Sequence, residues 1–237
     1  MKKQTGFSII EIAVVLVVVG MMLMSAMPMM SDWMRNAKLR NQAEALQSGL
    51  QQARNEAVRR NQAITFYMVS GDNANALDDT CVVSSSGTSW VVSVRNPAGE
   101  CDAAPAVTST DGSNPLIVRT HVGADGASGV SVNGLASDGT TAASSVTFDA
   151  FGRASGSLVR INVAYATSQD ADRPLRVDIS PAGMVRMCDT QITDSTDPRR
   201  CPSSASDASV PAAGTGTGTP ISTPQTESQD VQTPPSN

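Results

Sequence analysis

The chain has 237 residues, with 17 Lys and Arg against 22 Asp and Glu, a formal net charge of −5 and a single His. This length leaves room for one domain of ordinary size beyond an N-terminal helix and a tail, and an aromatic content of 3% implies a modest core of Val, Ile, Leu and Ala. One His, with no Gly-x-Ser-x-Gly elbow, phosphate loop or metal triad, excludes the usual enzyme constellations, so no catalytic residue, metal or cofactor is expected.

The chain begins with Met1-Lys2-Lys3 and then runs apolar over residues 7–30, interrupted early by one acid, Glu11; residues 12–30 carry no charge. A helix of this length matches the roughly 30 Å hydrocarbon core of a bilayer, so a membrane span is expected, with Lys2 and Lys3 on the inner side and Trp33 as an interfacial anchor. A cleaved signal peptide is the rival reading. It calls for a shorter apolar core ending in small-x-small residues, of which Ser25-Ala26-Met27 supplies only part. Glu11 argues further against it, because a carboxylate inside an apolar run is costly unless it meets a partner. Pro28 removes one backbone bond from the run and is expected as a bend.

The string Lys2-Lys3-Gln4-Thr5-Gly6-Phe7-Ser8-Ile9-Ile10-Glu11 resembles the prepilin leader and cleavage motif of type IV pilins and type II secretion pseudopilins. The resemblance implies that a prepilin peptidase cuts between Gly6 and Phe7, that Phe7 is N-methylated, and that Glu11 pairs with the Phe7 amine of a neighbouring subunit in a filament. Two opposite charges that are each costly when buried alone become tolerable together, so such a pair sets the stagger between subunits more than it adds stability. The implied partners are the prepilin peptidase, other minor pilins or pseudopilins, the major subunit, an inner-membrane assembly platform, and membrane lipid before assembly. The implied placement is a single-pass inner-membrane protein with a cytoplasmic N-terminus and a periplasmic C-terminal domain, at the filament tip after assembly.

From Trp33 to about Gln62 the pattern becomes that of an amphipathic helix. Leu39, Ala43, Leu46, Leu50, Ala53 and Ala57 recur at alternating spacings of four and three and form one stripe, flanked or opposed by Arg35, Lys38, Arg40, Arg54, Arg59 and Arg60. Gly49 weakens the helix slightly and allows a sheet to approach it closely. Residues 7–62 thus read as one long helix whose second half is the spine of a domain. The stretch Arg54-Asn55-Glu56-Ala57-Val58-Arg59-Arg60-Asn61, leading into Ile64-Thr65-Phe66-Tyr67-Met68-Val69, narrows the resemblance to the FimT/FimU and GspH subgroup of minor pilins and pseudopilins. Glu56 and Arg60, four apart, read as a weak solvated pair.

Strands are expected over residues 64–69, 88–95, 115–122, 145–149, 158–164, 175–179 and 185–189, where Ser89-Trp90-Val91-Val92-Ser93-Val94 and Leu175-Arg176-Val177-Asp178-Ile179 alternate. Residues 123–141 hold five glycines and no long apolar run and read as an exposed loop, either variable or used in recognition. Tight turns are expected near Gly152 and Gly183; Phe148-Asp149-Ala150-Phe151-Gly152-Arg153 and the segment from Ile179 through Gly183 to Arg186 resemble the two late strand-turn motifs of the subgroup. Asp149 and Asp178 read as turn or sheet-edge residues.

The four cysteines favour disulfides in an oxidising compartment. Three pairings are open, and spacing selects the local ones, Cys81 with Cys101 and Cys188 with Cys201. Metal binding is disfavoured by the absence of Cys-x-x-Cys, and His121 sits in a valine-flanked strand as a structural residue. The second cysteine segment, with Asp197-Pro198-Arg199-Arg200-Cys201-Pro202, also resembles the C-terminal cysteine loop of the subgroup. Residues 203–237 are low in complexity, with three acids and no base, and cannot bury enough apolar surface to fold alone.

The expected organisation is α+β and pilin-like: leader 1–6, transmembrane and filament helix half 7–30, amphipathic spine 31–63, a β-rich periplasmic domain 64–202 on antiparallel sheet, and a tail 203–237. The expected function is that of a minor pilin or pseudopilin which primes or caps a type IV pilus or a secretion pseudopilus. The alternative is a DNA-binding minor pilin, by resemblance to subgroup members that bind DNA near the C-terminal strand turn. Arg153, Arg186, Arg199 and Arg200 would form the patch, since phosphate contacts need clustered cations; Met184 stands at a turn position where those members tend to have Arg.

Overall fold

A computed structural model describes residues 8–73, 75–106, 114–123 and 129–202, without the side chains of residues 23–29. Gly6 and Phe7, the leader and the tail 203–237 lie outside the described residues. The architecture is one helix laid against two antiparallel sheets.

Helix α1 (Ile9–Arg60) starts after Ser8, which is extended, and carries Glu11 in its first turn, where a carboxylate suits the positive end of the helix dipole. It continues through the position of Pro28. It ends at Asn61, which adopts the left-handed conformation with φ 51° while the Asn61 and Gln62 amides donate back to the Val58 and Ala57 carbonyls. The stripe residues Leu39, Ala43, Leu46, Leu50, Ala53 and Ala57 are fully buried. Burying a Leu side chain is worth about 1.5–3 kcal/mol relative to leaving it exposed, so this stripe holds the second half of the helix to the sheets.

The strands are β1 (Ile64–Ser70), β2 (Val82–Val83), β3 (Ser89–Ser93), β4 (Ile117–His121), β5 (Val130–Leu135), β6 (Ser145–Phe148), β7 (Ala154–Ser155), β8 (Arg160–Tyr165), β9 (Leu175–Ile179) and β10 (Val185–Asp189). The first sheet runs β4-β3-β1-β6-β7, with β2 added to β1; the second runs β10-β9-β8-β5. In the first sheet β1 is central, with Phe66 opposite Val92 on one side and Val146 on the other. Ile64, Phe66 and Met68 join the core under the helix, while Val69 joins a smaller cluster with Cys81, Val91, Cys101 and Ile117. The Cys81–Cys101 loop thus covers the face of the sheet that the helix leaves open, and β1 reads as nearly continuous apolar sequence because both of its faces are covered.

Two expectations are corrected by the fold. Among the described residues no helix is long and apolar enough to cross a membrane. The membrane-spanning half of the helix, the single-pass inner-membrane placement built on it and the lipid contact are therefore withdrawn. What stands is the α+β arrangement of a helix packed on antiparallel sheet. The second correction concerns residues 123–141, read as an exposed loop. They contain β5, in which Val130 and Val132 are buried and Ser131 and Asn133 exposed. The period of two was present in Val130-Ser131-Val132-Asn133, but the surrounding glycines obscured it. A glycine is required inside this strand: a Cβ on Gly134 would lie 2.2 Å from the Ala143 carbonyl oxygen.

Candidate assembly site

The helix divides at residues 34–35. Before that point every large apolar side chain from Ile9 to Met22, together with Met30, Trp33 and Met34, is 44–88% exposed. A helix segment whose described large apolar side chains are this exposed is a surface awaiting a partner. Its described apolar stretch carries one charge, Glu11, which is exposed near the free end.

At the division a set of polar contacts joins the helix to residues 165–174. Arg35 Nε donates to Asp172 Oδ1 at 2.8 Å and Nη2 to Oδ2 at 2.7 Å, the two-pronged geometry that makes Arg–carboxylate pairs specific. Nη2 also donates to the Thr167 carbonyl at 3.2 Å, and the guanidinium lies 3.8 Å above the Tyr165 ring. The Tyr165 hydroxyl returns a hydrogen bond to the Arg35 carbonyl at 3.3 Å. Asn36 adds a reciprocal pair: Nδ2 donates to the Ala171 carbonyl at 2.9 Å, and the Arg173 amide donates to Oδ1 at 2.8 Å. Asp172 is 4% exposed and further fixed by the Gln169 amide at 2.7 Å. The Arg35 hydrogen bond, more than burial opposes it, holds the Asp172 carboxyl below its ordinary range, while burial pushes the Tyr165 hydroxyl up. Sequence reasoning placed Arg35 only as a charge beside the stripe and did not single out Asp172; the 137-residue separation carries no local pattern to link them.

Around the same end, a cleft of about 580 Å³ opens between the helix and β10, lined in part by Trp33, Arg40, Arg173, Met187, Asp189 and Arg199. Its arginines are already engaged: Arg40 with Glu44 at 3.2 Å, Arg173 with Asp189 at 3.6 Å and Arg199 with Asp197 at 2.8 Å. Among the described residues no group of His, Cys, Asp and Glu is placed to hold a metal ion.

Both local disulfides, Cys81–Cys101 and Cys188–Cys201, are formed. The second ties the segment after β10 over the outer face of the second sheet. Beneath it lies Asp178, which is fully buried in the interior strand β9 and so is neither an edge nor a turn residue. Arg176 Nη2 lies 2.9 Å from its Oδ2, and Arg160 Nε lies 3.5 Å from Oδ1, an ion pair too long to count as a hydrogen bond. Arg176 also donates to the Pro202 carbonyl. A buried charge needs partners of this kind, and the register supplies one by placing Arg160 opposite Asp178.

The four arginines proposed for DNA fall in two places. Arg186, on β10, donates to the Pro198 and Arg200 carbonyls and so lies against the C-terminal disulfide loop that carries Arg199 and Arg200. Arg153 sits instead beside the turn after β6, paired with Asp149 at 2.8 Å and near the exposed Phe151 ring. That turn is built on glycine: Gly152 and Gly183 both have φ 76°, and a Cβ on Gly183 would lie 1.8 Å from the Gly152 carbonyl oxygen. The same oxygen accepts a hydrogen bond from Arg54 Nε at 3.1 Å, which locks the two turns to the end of the spine. Asp149 is a turn residue as read, accepting from the Phe151 and Arg153 amides, each at 2.9 Å.

A helix with a free apolar half, and a spine half buried under antiparallel sheet, defines a pilin-type subunit. A family model described as type II transport protein GspH matches residues 42–183, more than half of the chain. The chain belongs to this GspH family of pilins and pseudopilins, whose members are structural rather than catalytic subunits. Two crystal structures of the type IV minor pilin FimU of Pseudomonas aeruginosa strain PAO1 are similar to it. One, in space group P21, is 20% identical with a TM-score of 0.40, covering 65% of this chain and 94% of FimU. The other, in space group P65, is 19% identical with a TM-score of 0.37, covering 64% and 97%. No curated protein matches the chain. A general role in pilin or pseudopilin assembly follows from the family.

Proposed function

We propose that the chain is a minor pseudopilin that primes or caps a filament built from pilin-like subunits and supports protein secretion. The observation that carries this reading is the exposed arm, whose described large apolar side chains are 44–88% exposed on a helix whose fully buried stripe begins only at Leu39. Arms of neighbouring subunits packed side by side would cover that surface. Glu11 then meets the Phe7 amine of a neighbour, after a prepilin peptidase has cut behind Gly6 and Phe7 has been methylated. The partners are other minor subunits, the major subunit and an assembly platform. The description of the family as a type II transport protein supports a secretion filament over a pilus.

Replacing Glu11 by Ala in the full chain tests the pairing: incorporation into isolated filaments should fall while the domain stays folded, and native-level incorporation sinks the idea. Deleting the chain and scoring surface pili and secreted enzymes separately assigns the filament; loss of pili alone reverses the assignment. The DNA-binding alternative has less support, because Arg186 and Arg199 are held by carbonyls and by Asp197. Titration of the protein with DNA across salt decides it, since phosphate contacts weaken steeply as salt rises.

A further inference from the structure

The joint at residues 35–36 lies where the helix leaves the domain, and its contacts are not needed to anchor the spine, which the buried stripe from Leu39 onward already holds. We propose that Arg35, Asn36, Tyr165 and Asp172 form a collar that sets the direction of the arm relative to the domain, and that this setting is what makes the arm competent to pair. The proposal rests on the filament reading above and adds a positioning element to it.

Leverage makes the collar matter. From Arg35 to Glu11 the helix extends about 36 Å, so a slack of about 10° at the collar displaces Glu11 by roughly 6 Å, more than the roughly 4 Å within which an ion pair counts. The fully buried stripe begins four residues beyond Arg35, so the collar contacts fall on the turn before any fully buried side chain. The collar holds that turn from several directions. Asp172 engages the guanidinium with both oxygens, Tyr165 supports it from one face and bonds the backbone behind it, and Asn36 fastens the adjacent loop on the next position. A second support lies behind Asp172, whose carbonyl accepts a hydrogen bond from Gln191 Nε2 at 2.8 Å, so the segment after β10 braces the collar from outside. A loop kept merely for folding has no need of a forked, nearly buried ion pair at the one place where the arm departs.

The test uses the full chain held in detergent. All described cysteines are paired, so spin labels can be placed through Val14→Cys on the arm and Ser131→Cys on β5. Arg35→Gln and Asp172→Asn should broaden the label-to-label distance distribution by about 5 Å or more. They should also speed exchange of the Gln169 and Arg173 amides by about tenfold, with exchange in β1 unchanged. Arg35→Lys, which keeps the charge without the fork, should fall between native and Arg35→Gln. Incorporation into filaments should fall in the same order. If Arg35→Gln does not fold, Tyr165→Phe removes only the hydroxyl bond and should broaden the distribution in the same sense by less. A distribution as narrow as native in these variants overturns the proposal, as does a broadened one with native incorporation. Failure of the filament reading itself is seen separately: Glu11→Ala would then incorporate normally, while the distance measurement, made on isolated chains, still reports whether the collar sets the arm.

Discussion

Residues 9–34 and residues 35–60 belong to one uninterrupted helix, yet the first presents Val14, Leu16 and Val18 to solvent while the second buries Leu39, Leu46 and Leu50 completely. Over residues 12–22 the arm is apolar all round, and the spine is apolar on one stripe only. Local helix formation is satisfied equally in both, so the difference lies in what each segment packs against. An all-round apolar helix must find its partner in other molecules, whereas a striped one finds it in its own sheets.

Side-chain truncation should separate the two halves most sharply. Leu46→Ala is expected to cost about 2–5 kcal/mol of unfolding free energy, while Val15→Ala on the arm should stay within about 0.5 kcal/mol. Urea unfolding of both variants measures this, and equal losses would show that the arm packs on its own domain. Next in size, replacing Cys188 and Cys201 by Ser should cost roughly 3 kcal/mol, by the entropy of closing such a loop. Because the loop covers Asp178, amide exchange in β9 should rise more than in β1. A uniform rise would show that the loop braces the whole domain.

Two glycines give a smaller and opposite pair of effects. A Cβ at Gly49 would come within 2.7 Å of the buried Trp90 ring, so Gly49→Ala should destabilise by about 1–3 kcal/mol despite its better helix propensity. At Gly20 nothing lies within 4 Å of the added Cβ, and Gly20→Ala should leave stability unchanged or raise it by up to about 1 kcal/mol. The melting temperature should therefore fall for Gly49→Ala and not for Gly20→Ala. Acid should act at the boundary. The Asp172 carboxyl is held below its unfolded range chiefly by Arg35, so its contribution to stability is present above about pH 4 and is lost as pH falls through the lower folded value. Exchange at the Gln169 amide, which Asp172 caps, should quicken across that window in the native chain and change less in Arg35→Gln.

Much of this architecture was legible in residue order. Leu39 through Ala57 repeat at helical spacing, so the buried face of the spine could be named in advance, and all six are fully buried. The alternation in β3 and β9 located those strands, and the cysteine spacings selected the pairings that are formed. The length and composition of the apolar run suggested a membrane span, whereas among the described residues no helix is long and apolar enough to cross a membrane. β5 escaped because glycines on either side weakened a period visible over only four residues.

By itself, then, the sequence determined the helix, its change from all-round apolar to striped, most of the strands and the family, because periodicity and motif spacing are local quantities carried by neighbouring residues. Only the tertiary structure decided that Arg35 meets Asp172 across 137 positions, that Asp178 is buried between Arg160 and Arg176, and that the domain's grip on the helix begins where the arm ends. Those contacts depend on strand order and register, which bring together side chains whose positions in the chain carry no mark of one another.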